Sequence, residues 1–146
     1  LEWRYAQDAD LPLLARWNRE LQEDEGAAAM SAEALLGRLR RWLSSEYTAI
    51  LFDSQETPIG YALFRRTDPD LKDPSGVYLR QFFVSRDKRR QGMGTRAMEL
   101  LLADVLGGHR VILEALNSNP AGHAFWRSLG FQPYSVRYDL DPSRGP

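Results

Sequence analysis

Apolar positions along this chain switch repeatedly between helical and strand spacing. Leu1 to Ala6 alternates weakly and reads as a short strand. Leu14, Trp17 and Leu21 then share one face of a helix starting near Leu11, capped by Asp8 or Asp10, with Pro12 tolerated in its first turn. It ends at Glu23-Asp24-Glu25 and Gly26. Ser31 caps a second helix, whose Leu35, Leu36, Leu39, Trp42 and Leu43 follow the 3.6-residue period and read as core. Tyr47–Asp53 and Ile59–Arg66 are strands around a turn at Ser54–Pro58, which makes a hairpin. Thr67–Gly76, with two Asp-Pro pairs, reads as a loop.

Val77–Val84 is the next strand. A helix follows, with Met93, Ala97, Leu100, Leu101 and Val105 on one face and Gly107-Gly108 at its end. Arg110–Leu116 reads as a strand buried on both faces. Asn119-Pro120 opens a short helix through Leu129, and Phe131–Leu140 is the last strand. No repeat or linker interrupts the series, so residues 1–146 read as one α/β domain. The unit Val77–Val84, helix, Arg110–Leu116 predicts two parallel neighbours whose carboxyl ends face one side, where ligands bind in open α/β sheets.

Composition adds little, but charge changes the picture. At 43% hydrophobic and 27% charged residues, the 146-residue chain matches an ordinary soluble domain. No apolar run approaches the roughly 18 residues of a membrane span, and no signal pattern opens the chain, although it begins at Leu1 rather than Met. The lack of cysteine excludes disulfides, thiolate zinc sites and a cysteine nucleophile, and is compatible with a cytoplasmic setting. His109 and His123 lack ligand-like spacing, so no metal is expected. The net charge of −1 conceals two opposite segments. Residues 1–33 carry Glu2, Asp8, Asp10, Glu20, Glu23, Asp24, Glu25 and Glu33 against Arg4, Arg16 and Arg19, a net −5. Residues 80–96 carry Arg80, Arg86, Lys88, Arg89, Arg90 and Arg96 against Asp87, a net +5. Such a chain can bind an anionic cofactor beside a cationic substrate, or present mixed solvated faces.

The basic segment ends in Gln91-Gly92-Met93-Gly94-Thr95 at a helix start, where backbone N–H groups and the helix dipole converge on an anion. Glycine lets the backbone approach such a ligand closely. No Gly-Lys-Ser/Thr follows, which rules out a Walker A loop. Gly92 to Ala97 does fit the dinucleotide pattern Gly-x-Gly-x-x-Gly/Ala, with Glu114 twenty residues beyond Gly94. However, Ser85–Gln91 separate the strand from the first glycine, and too few elements follow for that fold. Nucleic-acid binding is disfavoured by the sequence pI of 6.2 and the lack of a recognised motif.

Arg89-Arg90-Gln91-Gly92-Met93-Gly94 resembles the Arg/Gln-x-x-Gly-x-Gly/Ala pyrophosphate loop of the GCN5-related N-acetyltransferase (GNAT) family. Phe82-Phe83-Val84 looks like that family's cofactor-edge strand. Asn119-x-x-Gly122-x-x-Phe125-Trp126-Arg127-Ser128-Leu129-Gly130-Phe131 is similar to its second signature. The resemblance implies a mixed, mostly antiparallel sheet whose central β-α-β unit splays its parallel strands at the cofactor cleft. It further implies acetyl-coenzyme A as acyl donor. Phe82, Phe83 and Val84 would meet the pantetheine arm, and Arg89, Arg90, Gln91, Gly92, Met93, Gly94 and Thr95 the pyrophosphate, with Asn119 and Trp126 close by.

The implied reaction is acyl transfer: an amine attacks the thioester carbonyl, a backbone N–H steadies the oxyanion and the thiolate leaves. Here the chain departs from the family pattern. Trp126 stands where a tyrosine acid is common, and Arg80 where a glutamate is common. Tyr134, Tyr138 or His123 can replace the acid. Glu114, or Glu25 with its neighbours Glu23 and Asp24, can serve as base. The acceptor implied is a small-molecule or peptide amine, with neither nucleic acid nor membrane as partner, and the last strand allows a homodimer. The alternative is a non-catalytic acyl-coenzyme A-binding domain.

Overall fold

A computed structural model describes residues 1–67 and 76–144. Its strands are β1 (Glu2–Tyr5), β2 (Thr48–Ser54), β3 (Thr57–Arg66), β4 (Val77–Val84) and β5 (Val111–Ile112). Its helices are α1 (Leu11–Glu25), α2 (Ala32–Leu43), α3 (Met93–Asp104) and α4 (Pro120–Ser128). The sheet runs β1-β2-β3-β4-β5, antiparallel throughout except for the parallel β4–β5 pair. This is the mixed, mostly antiparallel α/β sheet anticipated above.

The strands alternate, and each face acquires its own layer. Tyr47, Ala49, Leu51, Tyr61, Leu63 and Phe83 pack under α1 and α2. Ile50, Phe52, Ile59, Ala62, Leu79 and Val84 pack under α3, with Phe125 and Trp126 of α4 joining that layer. Trp17 of α1 lies parallel to the Tyr61 ring at 6.2 Å between centroids, which seats α1 over the middle of the sheet. Ser31 caps α2 as expected, its hydroxyl accepting from the Ala34 N–H at 3.1 Å. Asp10 precedes α1 but makes no side-chain cap. Its carboxylate accepts instead from Arg4 and from the Gln7 N–H, because a guanidinium outcompetes a helix amide for it. The β2–β3 hairpin turns on Gln55 and Glu56, both at positive φ, as a tight turn matched to strand twist requires. Of the expected loop 67–76 only the ends are described, and there the Thr67 N–H donates to the Gly76 carbonyl at 2.9 Å. Residues 68–75 lie outside the described residues.

The structure corrects two expected strands. Only Val111 and Ile112 of the segment Arg110–Leu116 pair with β4, and Ile112 and Leu116 are exposed rather than buried. Phe131–Leu140 forms no regular strand. Tyr134, Val136, Tyr138 and Leu140 are all largely exposed, because the two-residue β5 offers too short an edge to zip a further strand along it. Alternation in that segment is present, but no layer covers it.

Candidate active site

Two departures from regular pairing shape the site. The parallel register holds for Val77↔Val111 and Tyr78↔Ile112 and then stops, so among the described residues β4 from Leu79 to Val84 has a strand partner on one side alone. On the other side of β4, Leu63 faces Gln81 and Phe64 faces Leu79, leaving Arg80 as the extra residue of a bulge. A bulge turns consecutive side chains onto one face. Arg80 touches Trp42 and Tyr47, and Gln81 accepts from the Tyr61 hydroxyl at 2.8 Å, both on the side of α1 and α2.

Beyond β4 the chain makes a 3-10 turn at Arg86–Lys88 and reaches α3 through Arg90, at φ 61°, and Gly92, at φ 73° and ψ 8°. Both are left-handed. A side chain at Gly92 would meet no atom within 4 Å, so glycine answers here to backbone conformation rather than space. The first N–H groups of α3, Met93 to Thr95, find no protein acceptor among the described residues and face outward from the helix start. Gly94 is different: it has ordinary helical backbone, and a Cβ there would make van der Waals contact with the Phe125 ring at 3.4 Å.

The opposite charge segments meet one another. Arg86 pairs with Glu20, Glu23 and Asp24, and Arg89 Nη2 lies 2.8 Å from Asp24 Oδ2. Arg89 also donates from Nε to the Val84 carbonyl at 2.9 Å and lies 5.1 Å from the Phe83 ring centre. It braces the turn from within, while Arg90 makes no ion pair among the described residues. Gln91 donates to the Asp87 carbonyl.

The expected acids and bases fall in different places. Glu25 is half-buried at the end of α1, makes no hydrogen bond or ion pair among the described residues, and is pushed above the usual carboxylate range by burial and then by Asp24. It acts electrostatically on Tyr61, whose phenol is pushed up chiefly by complete burial. Glu114 is exposed and accepts from the Tyr78 hydroxyl at 3.0 Å, across the gap between β4 and the segment after β5. Burial first and Glu114 second raise the Tyr78 phenol. Tyr134 is not brought here. It is 85% exposed, with Arg110 at 5.1 Å from its ring, at the start of β5 rather than its end. Tyr138 is also exposed, and His123 Nε2 is bonded to the Leu116 carbonyl.

On the α3 side of β4, Phe82, Phe125, Trp126 and Phe131 form one aromatic cluster with centroids 4.9–6.0 Å apart. Trp126 is thus a packing residue beside the open edge. Asn119 caps α4, its Oδ1 accepting from the Gly122 N–H at 3.1 Å. Tyr61, Tyr78 and Gln81, which the structure brings beside Glu25, Glu114 and the bulge, were not singled out in the sequence. They were hidden because their meaning depends on the bulge and on which helix crosses above them.

A model of the acetyltransferase (GNAT) family matches residues 11–131. The chain belongs to that family. Among solved structures, this GNAT chain is similar to a possible acetyltransferase of Clostridium difficile 630, with TM-score 0.78 at 16% identity over 96% of both chains. It is similar to an acetyltransferase of Thermus thermophilus, with TM-score 0.73 at 22% identity over 90% of this chain and 88% of that one. A third match is a predicted acetyltransferase of Clostridium acetobutylicum, solved with acetyl-CoA, with TM-score 0.72 at 16% identity over 98% and 97%. At these identities the likeness is one of fold. No curated protein matches in sequence.

Proposed function

We propose that residues 1–146 form one GNAT domain that acts as an acetyl-coenzyme A-dependent N-acetyltransferase, transferring the acetyl group to an amine by direct attack in a ternary complex. The observation that carries this reading is the parting of β4 from β5 after Tyr78↔Ile112, which leaves an open strand edge leading straight to the left-handed turn at Gly92. The edge from Phe82 to Val84 pairs with the amide-bearing pantetheine arm as an added strand would. Arg90 and the N–H groups of Gln91 to Thr95 hold the pyrophosphate at the start of α3. Asn119 and Trp126 flank the arm from α4, and Arg89 keeps the turn in shape. The donor supplies an activated thioester.

Glu25 takes the proton from the acceptor's ammonium and leaves the neutral amine that adds to the thioester carbonyl, its raised affinity for protons suiting it to that task. Tyr78, held by Glu114 across the strand gap, returns a proton to the departing thiolate. A thiol of pKa about 8.5 leaves readily enough that this second transfer contributes modestly. The protein would act in the cytoplasm, a reducing setting compatible with a chain that carries no cysteine.

A second reading, a non-catalytic acyl-coenzyme A-binding domain, is favoured by Trp126, whose indole N–H is no practical acid, and by Arg80 at the common glutamate position. Isothermal titration with acetyl-coenzyme A, run beside a thiol-release assay over an amine panel, separates the two. Binding together with amine-dependent thiol release supports the enzyme; binding with no release for any amine supports the sensor.

A further inference from the structure

On the α2 side of the β4 bulge, two guanidinium groups share one indole. The Arg38 guanidinium carbon lies 4.4 Å, and that of Arg80 4.5 Å, from the centre of the Trp42 ring. Arg38 donates to Asn18 Oδ1 at 2.9 Å and Arg80 to the Tyr47 hydroxyl at 3.1 Å, both neutral acceptors. Neither has a carboxylate within 4.0 Å among the described residues, whereas Arg4, Arg65, Arg86 and Arg89 all do. The Arg38 Nε is buried and has no hydrogen-bond partner among the described residues.

Parts of this arrangement work against folding, although each guanidinium gains from the indole face. Two like charges stacked on one ring repel, and a buried N–H without an acceptor carries its full desolvation cost. Burial, followed by Arg80, accordingly lowers the proton affinity of Arg38. A charged group held in a disfavoured electrostatic state is a candidate for ligand contact, and here Arg80 is exposed while Arg38 is half-buried. Glu25 is the complementary case, a half-buried acid with no cation paired to it among the described residues, and both Glu25 and Arg38 act on the same Tyr61 hydroxyl.

We propose that the acceptor is a small amine that also carries an anionic group, a carboxylate or a phosphate monoester, held by Arg38 and Arg80 while its amine meets Glu25. Guanidinium forks match both anions geometrically, and stacking on Trp42 fixes their planes. An α-amino acid fits this description. A polypeptide N-terminus does not, because its first carboxyl is already an amide.

The proposal rests on the acyl-transfer reading, and the experiment keeps the two apart. Thiol release from acetyl-coenzyme A is measured with α-amino acids against their primary amides, and with 2-aminoethyl phosphate against ethanolamine, for the native chain, Arg38→Gln and Arg80→Gln. The expected result is at least tenfold higher kcat/KM for the anionic member of one pair, carried mainly in KM and falling below threefold in both variants. Which pair shows it distinguishes carboxylate from phosphate. Arg38→Gln and Arg80→Gln each disturb a hydrogen bond, to Asn18 and to Tyr47, so melting temperature serves only to show that both variants are folded, and the KM difference between paired acceptors carries the test. Equal turnover within both pairs, or a preference that survives both substitutions, overturns the proposal. If no amine releases thiol, the acyl-transfer reading fails. Titration of the coenzyme A-bound protein with N-acetyl amino acids, N-acetyl-2-aminoethyl phosphate and their uncharged counterparts then decides the anion site on affinity alone. At least fivefold tighter binding of an anion, lost in Arg80→Gln, supports the site, and no difference overturns it.

Discussion

Asp24 Oδ2 sits 2.8 Å from Arg89 Nη2, and through that pair the end of α1 holds the turn that leads into α3. Arg89 in addition donates to the Val84 carbonyl, so it belongs to the scaffold of the turn more than to its ligand surface. Arg89→Ala should lower stability by about 1–2 kcal/mol, since a charge-assisted bond is lost but its ion pair is about a third exposed and weak. That is about 2–6 °C in melting temperature for a domain of this size. Arg90→Ala should leave the melting temperature alone and weaken coenzyme A binding about threefold at low salt, an effect fading as salt is raised. Calorimetric melting and titration at two ionic strengths check both, and the opposite assignment of effects would refute the division of labour.

The two glycines of the turn should behave differently. Gly92 adopts φ 73°, where an L side chain costs about 1–2 kcal/mol, so Gly92→Ala should both destabilise and weaken coenzyme A binding. Gly94 is regular helix with ordinary contact to Phe125 at 3.4 Å, and Gly94→Ala gains helix propensity that offsets the crowding. Its stability should stay within about 0.5 kcal/mol of the native chain by denaturant unfolding. A larger loss at Gly94 than at Gly92 would contradict this account of the turn.

What could be read from the chain alone was what depends on neighbours in sequence. The Ser31 and Asn119 caps, the α2 stripe and the strand-turn-helix at Gly92 are all local, and all are present. The charge segments were visible, but their mutual pairing through Arg86 and Arg89 was not, because it joins residues more than sixty positions apart. Trp42 fits the core stripe of α2, yet its ring carries Arg38 and Arg80. Nothing local announces that contact, since the bulge at Arg80 breaks the period of two on which strand faces are inferred. The alternation at Tyr134, Val136, Tyr138 and Leu140 misled for a related reason: a strand needs an edge to pair with, and β5 supplies two residues.

Glu25 offers a test in which stability and activity move oppositely. Burial raises its folded proton affinity above the unfolded value, so the native state loses stability as pH rises from the ordinary glutamate range through the folded value. Glu25→Gln should therefore melt at or above the native temperature at pH 7 to 8, with the difference vanishing at low pH. If Glu25 is the base, the same variant should lose about 10²-fold or more in kcat/KM. The native acid limb should also lie above the range of an exposed glutamate. Unchanged kcat/KM in Glu25→Gln would remove Glu25 from the mechanism.

The Arg4–Asp10 pair should govern the opposite end of the pH scale. Arg4 donates to both Asp10 oxygens and to Asp53, and the bond to Arg4 holds the Asp10 carboxyl below the usual carboxylate range. A depressed folded value means that the stabilisation is present above the unfolded pKa of about 3.9 and is lost as pH falls through the folded value. Asp10→Asn should cost about 1–2 kcal/mol at pH 7, toward the lower figure because the Arg4 side chain is 40% exposed. The cost should shrink toward zero as pH drops below that range. Denaturant midpoints for the two proteins between pH 2 and 7 measure it, and a gap independent of pH would show that Asp10 acts through something other than its charge.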